Sequence, residues 1–426
     1  MGIFDDLIKG YEIPKMIKIR QNFPRPILTD ISKSIRNELQ STGLLKRLKK
    51  RDRVAVTAGS RGIANIALIT REIVANLKEA GARPFIIPAM GSHGGATAAG
   101  QVEVLHSLGI TEETMGVPIR SSMEVVRVGT TESNLPVCVD KLAFTEADAI
   151  VVVNRIKPHT TFRGAYESGL AKMIVIGLGK QIGAELCHAT GAANMSPRIE
   201  ELARHTLEKA NIVFGVGIIE NAYDETCRII ALPGQNILAK EPALLEEAAA
   251  NMPKILFPKY DVLVVDEIGK NISGTGMDPN IIGRYTTDAI KSEDWVQRIV
   301  VLDLTEKTHG NANGIGLADV CSRKTFDKID FQQTYPNCLT TRIVCSAKIP
   351  MVMDNDRQAI RASIKTCFDV DGKDIKMVRI KNTLRLDEIY ISESLLPEAR
   401  ANPSIDIMEK KAAPIAFDRE GNIVGF

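Results

Sequence analysis

From Arg53 onward the chain alternates short apolar runs with glycine-bearing loops and helical stretches. RVAVTAG is an apolar run of strand length, and the loop GSRGIAN follows it. ALITREIVANLKEAG then spaces its apolar residues as a helix does and closes on a glycine. The same order returns with PFIIPAM as strand, GSHGG as loop and ATAAGQVEVLHSLG as helix. A less regular stretch with candidate strands at 124–129 and 136–139 leads to ADAIVVVN, a further strand, which runs out through RIKPHTTFRG into a helix-like stretch. Strands alternating with helices predict an α/β fold with mainly parallel sheets and helices on the faces. Right-handed crossovers point successive strands the same way, so their loops share one edge, where ligands bind.

A second block repeats the theme, with YDVLVVDEIG and WVQRIVVLDLT as strands and helical stretches around 325–333 and 355–366. Between the blocks, ILAKEPALLEEAAANMPKILFP reads as a helix ending at Pro253. The expected boundary lies near residue 256. It divides the chain into two α/β domains, 1–256 carrying the chemistry and 257–426 closing an active-site cleft between them. Residues 1–50 read as a polar lead-in with a helix-like stretch at 31–49, and the basic run from Lys46 to Arg51 reads as a solvated face.

Composition narrows the function classes. Lys and Arg number 54 against 52 Asp and Glu, a balance without the basic excess of a nucleic-acid binder. Aromatic residues make up 5% with one Trp, too few for a base-stacking platform. The seven cysteines are scattered and never spaced CxxC, which fits a reducing compartment. No apolar run approaches the roughly 20 residues that span a bilayer, and the acidic start MGIFDDLIKG has no signal core. The expectation is a cytoplasmic enzyme acting on a small molecule, with no nucleic acid or membrane partner, and with homo-oligomerisation left open.

Six histidines occur. His106 and His205 fall inside helical patterns and read as packing or surface residues, while His309 sits in a glycine-rich loop that suits a turn or a site lip equally. His93 in GSHGG, His159 in KPHTT and Arg61 in GSRG each follow the carboxyl end of a strand. Helix N-termini and a guanidinium favour a carboxylate, and neutral imidazoles exchange protons near pH 7. The combination suits a small carboxylate substrate that gains or loses a proton. VIGLGKQIG, with Gly177, Gly179 and Gly183, has the look of a loose dinucleotide fingerprint after a short strand, but its spacing is GxGxxxG. Lys172 lies among small and apolar residues, where an amine can be desolvated; spacing alone would also allow a helix lysine reaching to solvent.

Together these residues resemble the nickel-dependent lactate racemase family. The resemblance is carried by GSHGG around His93, KPH at His159, the Tyr-x-Ser-Gly-x-x-Lys run ending at Lys172, and His188 sixteen residues later. It implies a nickel-pincer nucleotide tethered at Lys172, His188 as the protein ligand to nickel, His93 and His159 as the two proton-transfer bases, and Arg61 on the substrate carboxylate. The implied activity is a 2-hydroxy acid racemase or epimerase working by reversible hydride transfer, with cofactor-synthesis enzymes as partners. The chain departs from the pattern at Ala58, where lactate racemases carry an acidic residue three before the site arginine. Its loop from His159 to Lys172 is longer and contains Arg163 and Glu167, which favours a larger or more polar substrate than lactate.

Two further cations are candidates. Lys270 opens the glycine-rich stretch DEIGKNISGTGMDPN with Asn271, Ser273 and Asp278, and is expected to contact substrate or cofactor, against an ordinary turn stabilised by Asp278-Pro279. Lys180 in GLGK is the candidate for a cofactor phosphate. The rival readings are an NAD-dependent oxidoreductase built on GLGKQIG and a cofactor-less carboxylate-binding homologue.

Overall fold

The computed structural model describes all residues except 1, 190, 292–294 and 371–373. The chain forms two compact units, one of Pro24–Met252 and one of Met1–Phe23 with Pro253–Phe426. The junction at Pro253 lies close to the expected boundary. The assignment of the first residues is corrected: β1 (Met16–Gln21) pairs antiparallel with strands near the chain's end and so belongs to the later unit. Its MIKIRQ run is too short to stand out from a polar lead-in.

In the unit Pro24–Met252 the strands are β2 (Arg53–Ala58), β3 (Arg83–Pro88), β4 (Val125–Thr130), β5 (Pro136–Asp140), β6 (Ala149–Arg155), β7 (Ile212–Glu220) and β8 (Thr226–Pro233). Five of them form one sheet in the order β3-β2-β6-β7-β8. All neighbours are parallel except β7 and β8, which run antiparallel. β4 and β5 form a separate antiparallel ribbon.

Alternation along these strands divides the apolar residues between two cores. Val54, Val56, Ile86, Val151 and Val153 face the helices Ile31–Ser41 and Ile66–Glu79. Ala55, Phe85, Ile87, Ile150 and Val152 face the opposite side, where the segment Leu170–His188 and the helix Met195–Lys209 pack. Each fully buried Val, Leu, Ile or Phe contributes about 1.5–3 kcal/mol against leaving it in water. A strand buried on both faces reads as a continuous apolar run. IVFGVGII in β7 is such a run, and β8 pairs along it antiparallel.

The other unit contains β1 with β9 (Lys259–Val265), β10 (Trp295–Val301), β11 (Val320–Ser322), β12 (Met351–Met353), β13 (Met377–Ile380), β14 (Glu388–Ser392) and β15 (Ile405–Ile407). They form one sheet, ordered β12-β11-β10-β9-β13-β14-β1-β15. The first five are parallel, and β14, β1 and β15 continue it antiparallel. The fold class is therefore α/β with mainly parallel sheets. Among the described residues, no helix is long and apolar enough to cross a membrane.

Candidate active site

The sheet order sets β3, β2 and β6 side by side and parallel. Their carboxyl ends therefore release three adjacent loops, carrying His93, Arg61 and His159. Onto these loops packs the segment that bears Lys172 and His188. A side chain at Gly59 would begin 3.0 Å from Met173 Cε, and one at Gly91 would begin 3.2 Å from Ile176 and 3.5 Å from Ala184.

That segment is helical throughout most of its length. Leu170–Lys172 is a single turn, Met173–Gly177 is wound as a π-helix, and Lys180–His188 resumes the α-helix. π-Helical turns are uncommon and tend to occur at functional sites. Gly179 and Gly183 allow the close winding, because a Cβ on either would stand 2.1 or 2.3 Å from Val175 O. No strand precedes these glycines, so the dinucleotide-loop reading of VIGLGKQIG is withdrawn: the glycines serve helix packing.

His159 is half-buried. Its ring stacks on Phe162 with centroids 4.2 Å apart and an interplanar angle of 28°. Its Nδ1 accepts from Thr161 N at 3.1 Å. Loss of hydration, followed by the charges of Lys172, His188, Arg61 and Arg163, holds the imidazole well below the ordinary histidine value. A neutral imidazole results.

The Lys172 ammonium lies 5.7 Å from the centre of the same Phe162 ring. Desolvation, then the charge of Arg61, lowers its pKa to about 7, against opposing effects of Cys187 and Glu167. Arg61 keeps exposed surface, with its guanidinium partly shielded from water. That shielding, with Arg155, lowers its guanidinium. Arg61, His159, Lys172 and His188 thus share one electrostatic environment. His93 is exposed at the neighbouring loop, whose main chain is pinned by Gln101 Nε2 donating to Gly91 O at 2.9 Å and His93 O at 3.3 Å.

Several supports escaped the sequence reading. Asn154 Nδ2, at the end of β6, donates to Gly169 O at 2.8 Å. Arg155 is paired with Glu220, whose Oε1 also accepts from Ala64 N at 2.6 Å and so ties β7 to the Arg61 loop. Glu241 is buried and accepts from Ala171 N at 2.9 Å, one residue before Lys172. Burial pushes its carboxyl up to about 7, against the N–H groups of Ala171 and Leu170. Gly169 admits this approach, since a Cβ there would stand 2.2 Å from Glu241 Oε1. The end of a recognised strand was a usable signal for Asn154 and Arg155. A single acid within an amphipathic helix gave none for Glu241.

One expected contact is revised. Lys180 is fully buried, pairs with Asp140 Oδ2 at 2.8 Å and donates to Pro88 O at 2.5 Å, so its ammonium is committed to the fold and does not present itself to a phosphate. Lys270 belongs to the other unit, where its ammonium donates to Gly274 O at 2.8 Å within its own loop. There Asp278 caps the short helix Pro279–Ile282 by accepting from Asn280 N at 3.0 Å. Arg163 and Glu167 turn on each other and on the loop main chain.

Among the described residues, no group of three or more His, Cys, Asp or Glu side chains could hold a metal ion. The site brings together a guanidinium at Arg61, an amine that burial lowers to about 7 at Lys172, and an imidazole held well below its ordinary value at His159.

Residues 17–198 match the family model described as the lactate racemase N-terminal domain. The fold is similar to that of the lactate racemase apoprotein from Thermoanaerobacterium thermosaccharolyticum, with 14% identity, a TM-score of 0.52, and 87% of this chain and 99% of that one covered. A structural-genomics protein of Thermotoga maritima is similar at a TM-score of 0.46, with 16% identity over 66% of this chain and 71% of that one. No curated protein matches the chain.

Proposed function

We propose that this chain, whose residues 17–198 belong to the lactate racemase N-terminal domain family, is a racemase or epimerase of a 2-hydroxy carboxylic acid. The observation that carries the reading is geometric: Arg61, His93 and His159 follow three adjacent parallel strand ends, and the Lys172 amine stands 5.7 Å from the Phe162 ring on which His159 stacks. Burial lowers that amine to about 7. A primary amine of that kind suits covalent tethering of a cofactor. Arg61 supplies the fixed positive charge beside these groups, suited to an anionic nucleotide or a carboxylate substrate.

These residues fit the nickel-pincer nucleotide of the family. Lys172 would hold it covalently and His188 would supply the protein's ligand to nickel. The absence of a protein-only metal cluster among the described residues agrees with a metal that brings most of its ligands with it. When bound, the group supplies an acceptor that takes hydride reversibly.

The chain's own part is orientation and proton handling. Arg61 grips the substrate carboxylate through paired N–H donors. The α-hydrogen of a 2-hydroxy acid is barely acidic, because its removal as a proton would set negative charge beside the carboxylate. Taking the hydroxyl proton onto His93 or His159 while the hydrogen leaves as hydride avoids that cost. The ketoacid is flat, so hydride can return to either face, and a base on each side serves each enantiomer. Placement of a base within hydrogen-bond reach typically supplies about 10²–10⁴-fold. The loop bearing Arg163 and Glu167, absent from the simpler family pattern, points to a substrate other than lactate.

The test is a set of single enantiomers of 2-hydroxy acids labelled with deuterium at the α-carbon, offered to protein produced beside the cofactor-synthesis enzymes. Inversion with the label retained supports the reading. Inversion with loss of label to solvent would replace hydride transfer by proton abstraction. Label moving to added NAD would favour an oxidoreductase.

A further inference from the structure

Glu167 falls between His159 and Lys172 in the sequence, in the Tyr-Glu-Ser-Gly-Leu-Ala-Lys run that ends at Lys172. Its side chain is buried. Oε2 accepts from His159 N at 2.6 Å and from Arg163 NH1 at 3.3 Å, and Oε1 accepts from Gly164 N at 3.1 Å. Arg163 closes the ring by donating to His159 O at 2.5 Å and Phe162 O at 3.1 Å. The carboxylate therefore pins the main chain on which the His159 ring rests, while Phe162 sets the plane of that ring. None of these contacts points to a substrate-binding role for Glu167.

Glu167 has a second connection through Phe162, the ring on which His159 stacks at 4.2 Å and which stands 5.7 Å from the Lys172 ammonium. The groups acting on Lys172 are Arg61 from the loop after β2, Glu167 from the loop after β6, and Cys187 from its own helical segment; the Lys172 charge in turn acts on His159. Burial pushes the Cys187 thiol up to about 12, which leaves it neutral at physiological pH. Glu167 is then the acid among these groups: burial raises its carboxyl, and the N–H groups of His159 and Gly164 with the charge of Arg163 act against that rise.

We propose that Glu167 is a positioning residue that holds His159 through its main chain and balances the charge of Lys172, so that one buried carboxylate couples the base to the tethering amine. The proposal rests on the roles assigned above to His159 and Lys172. Its test uses the full-length chain without cofactor, so that failure of the nickel reading would leave it standing. Acetic anhydride labelling of the Lys172 peptide, followed by mass across pH, reads the amine's titration. Glu167→Gln keeps an acceptor for His159 N and removes the charge. Its Lys172 midpoint should fall by about half to one pH unit below the wild-type value. Protection of the His159 amide from hydrogen exchange should persist in Glu167→Gln and drop about tenfold or more in Glu167→Ala. An unmoved midpoint in Glu167→Gln overturns the charge coupling. Unchanged protection in Glu167→Ala overturns the anchoring. In loaded enzyme, a raised KM with intact kcat in Glu167→Gln would reassign the residue to substrate contact.

Discussion

The imidazole of His159 stacks on Phe162 at 4.2 Å between ring centres, and Phe162 itself has no exposed surface. One buried ring thus orients the histidine and also stands 5.7 Å from the Lys172 ammonium. An aromatic pair contributes about 0.5–1.5 kcal/mol beyond area burial, and a cation over a ring about 0.5–1. Phe162→Leu keeps an apolar side chain and loses the π face. Thermal unfolding should show a cost of about 1 kcal/mol. Steady-state assays of loaded enzyme should show kcat reduced about tenfold, the equivalent of 1.36 kcal/mol in the barrier. An unchanged kcat would mean that the ring does not orient the base.

Lys172 should weaken the fold that displays it. Its pKa is lowered from 10.5 to about 7, so between those values the unfolded chain binds more protons than the folded one. Stability therefore rises with pH across that window, and below about pH 7 the penalty is constant. Lys172→Met should raise the stability of the cofactor-free protein at pH 7 by about 1 kcal/mol, as removal of strained functional groups commonly does. The gain should fade towards pH 10. Urea unfolding at the two pH values checks both the sign and the window.

Glu241 carries the opposite sign of dependence. Its carboxyl is pushed up to about 7 by burial, from 4.5. Between those values the folded protein holds the proton more tightly, so this group's contribution to stability falls as pH rises and then levels off. Glu241→Gln keeps a carbonyl acceptor for Ala171 N and has nothing to ionise. Unfolding curves at pH 5 and pH 8 should lie closer together in the variant than in the wild type. A wider gap in the variant would refute this assignment.

Lys180 and Asp140 form a fully buried ion pair joining the end of β5 to the helix Lys180–His188. Asp140 Oδ1 also caps the next helix by accepting from Ala143 N at 2.9 Å. Lys180→Met strands the carboxylate, and loss of one partner from a buried pair typically costs about 3–5 kcal/mol. Denaturant unfolding should show that loss, while cofactor content per folded molecule stays at the wild-type level. Reduced loading with stability intact would restore the phosphate-binding role.

The sequence made one part of this site legible because strand ends are local events. Apolar runs broken by GSRG, GSHGG and KPH placed Arg61, His93 and His159 on one edge, and the sheet order sets their strands side by side. Supports that act at long range were not legible. Glu241 reaches Ala171 from 70 positions away, and Glu220 reaches Ala64 across 156. Lys180 misled for a related reason. GLGK reads locally as a phosphate loop, yet Lys180 adopts a left-handed backbone with φ of 54° and buries its ammonium against Asp140 and Pro88. β1 was lost to the lead-in because its partners, β14 and β15, lie at the far end of the chain.

Peptide mass mapping with metal analysis tests most directly whether Lys172 holds the proposed nickel-bearing nucleotide. Protein made beside the cofactor-synthesis enzymes, with a known lactate racemase as loading control, should carry added mass on the Lys172 peptide and about one nickel per chain. Both should be lost in Lys172→Met. An unmodified Lys172 peptide and no nickel, in a preparation where the control is loaded, would contradict the account.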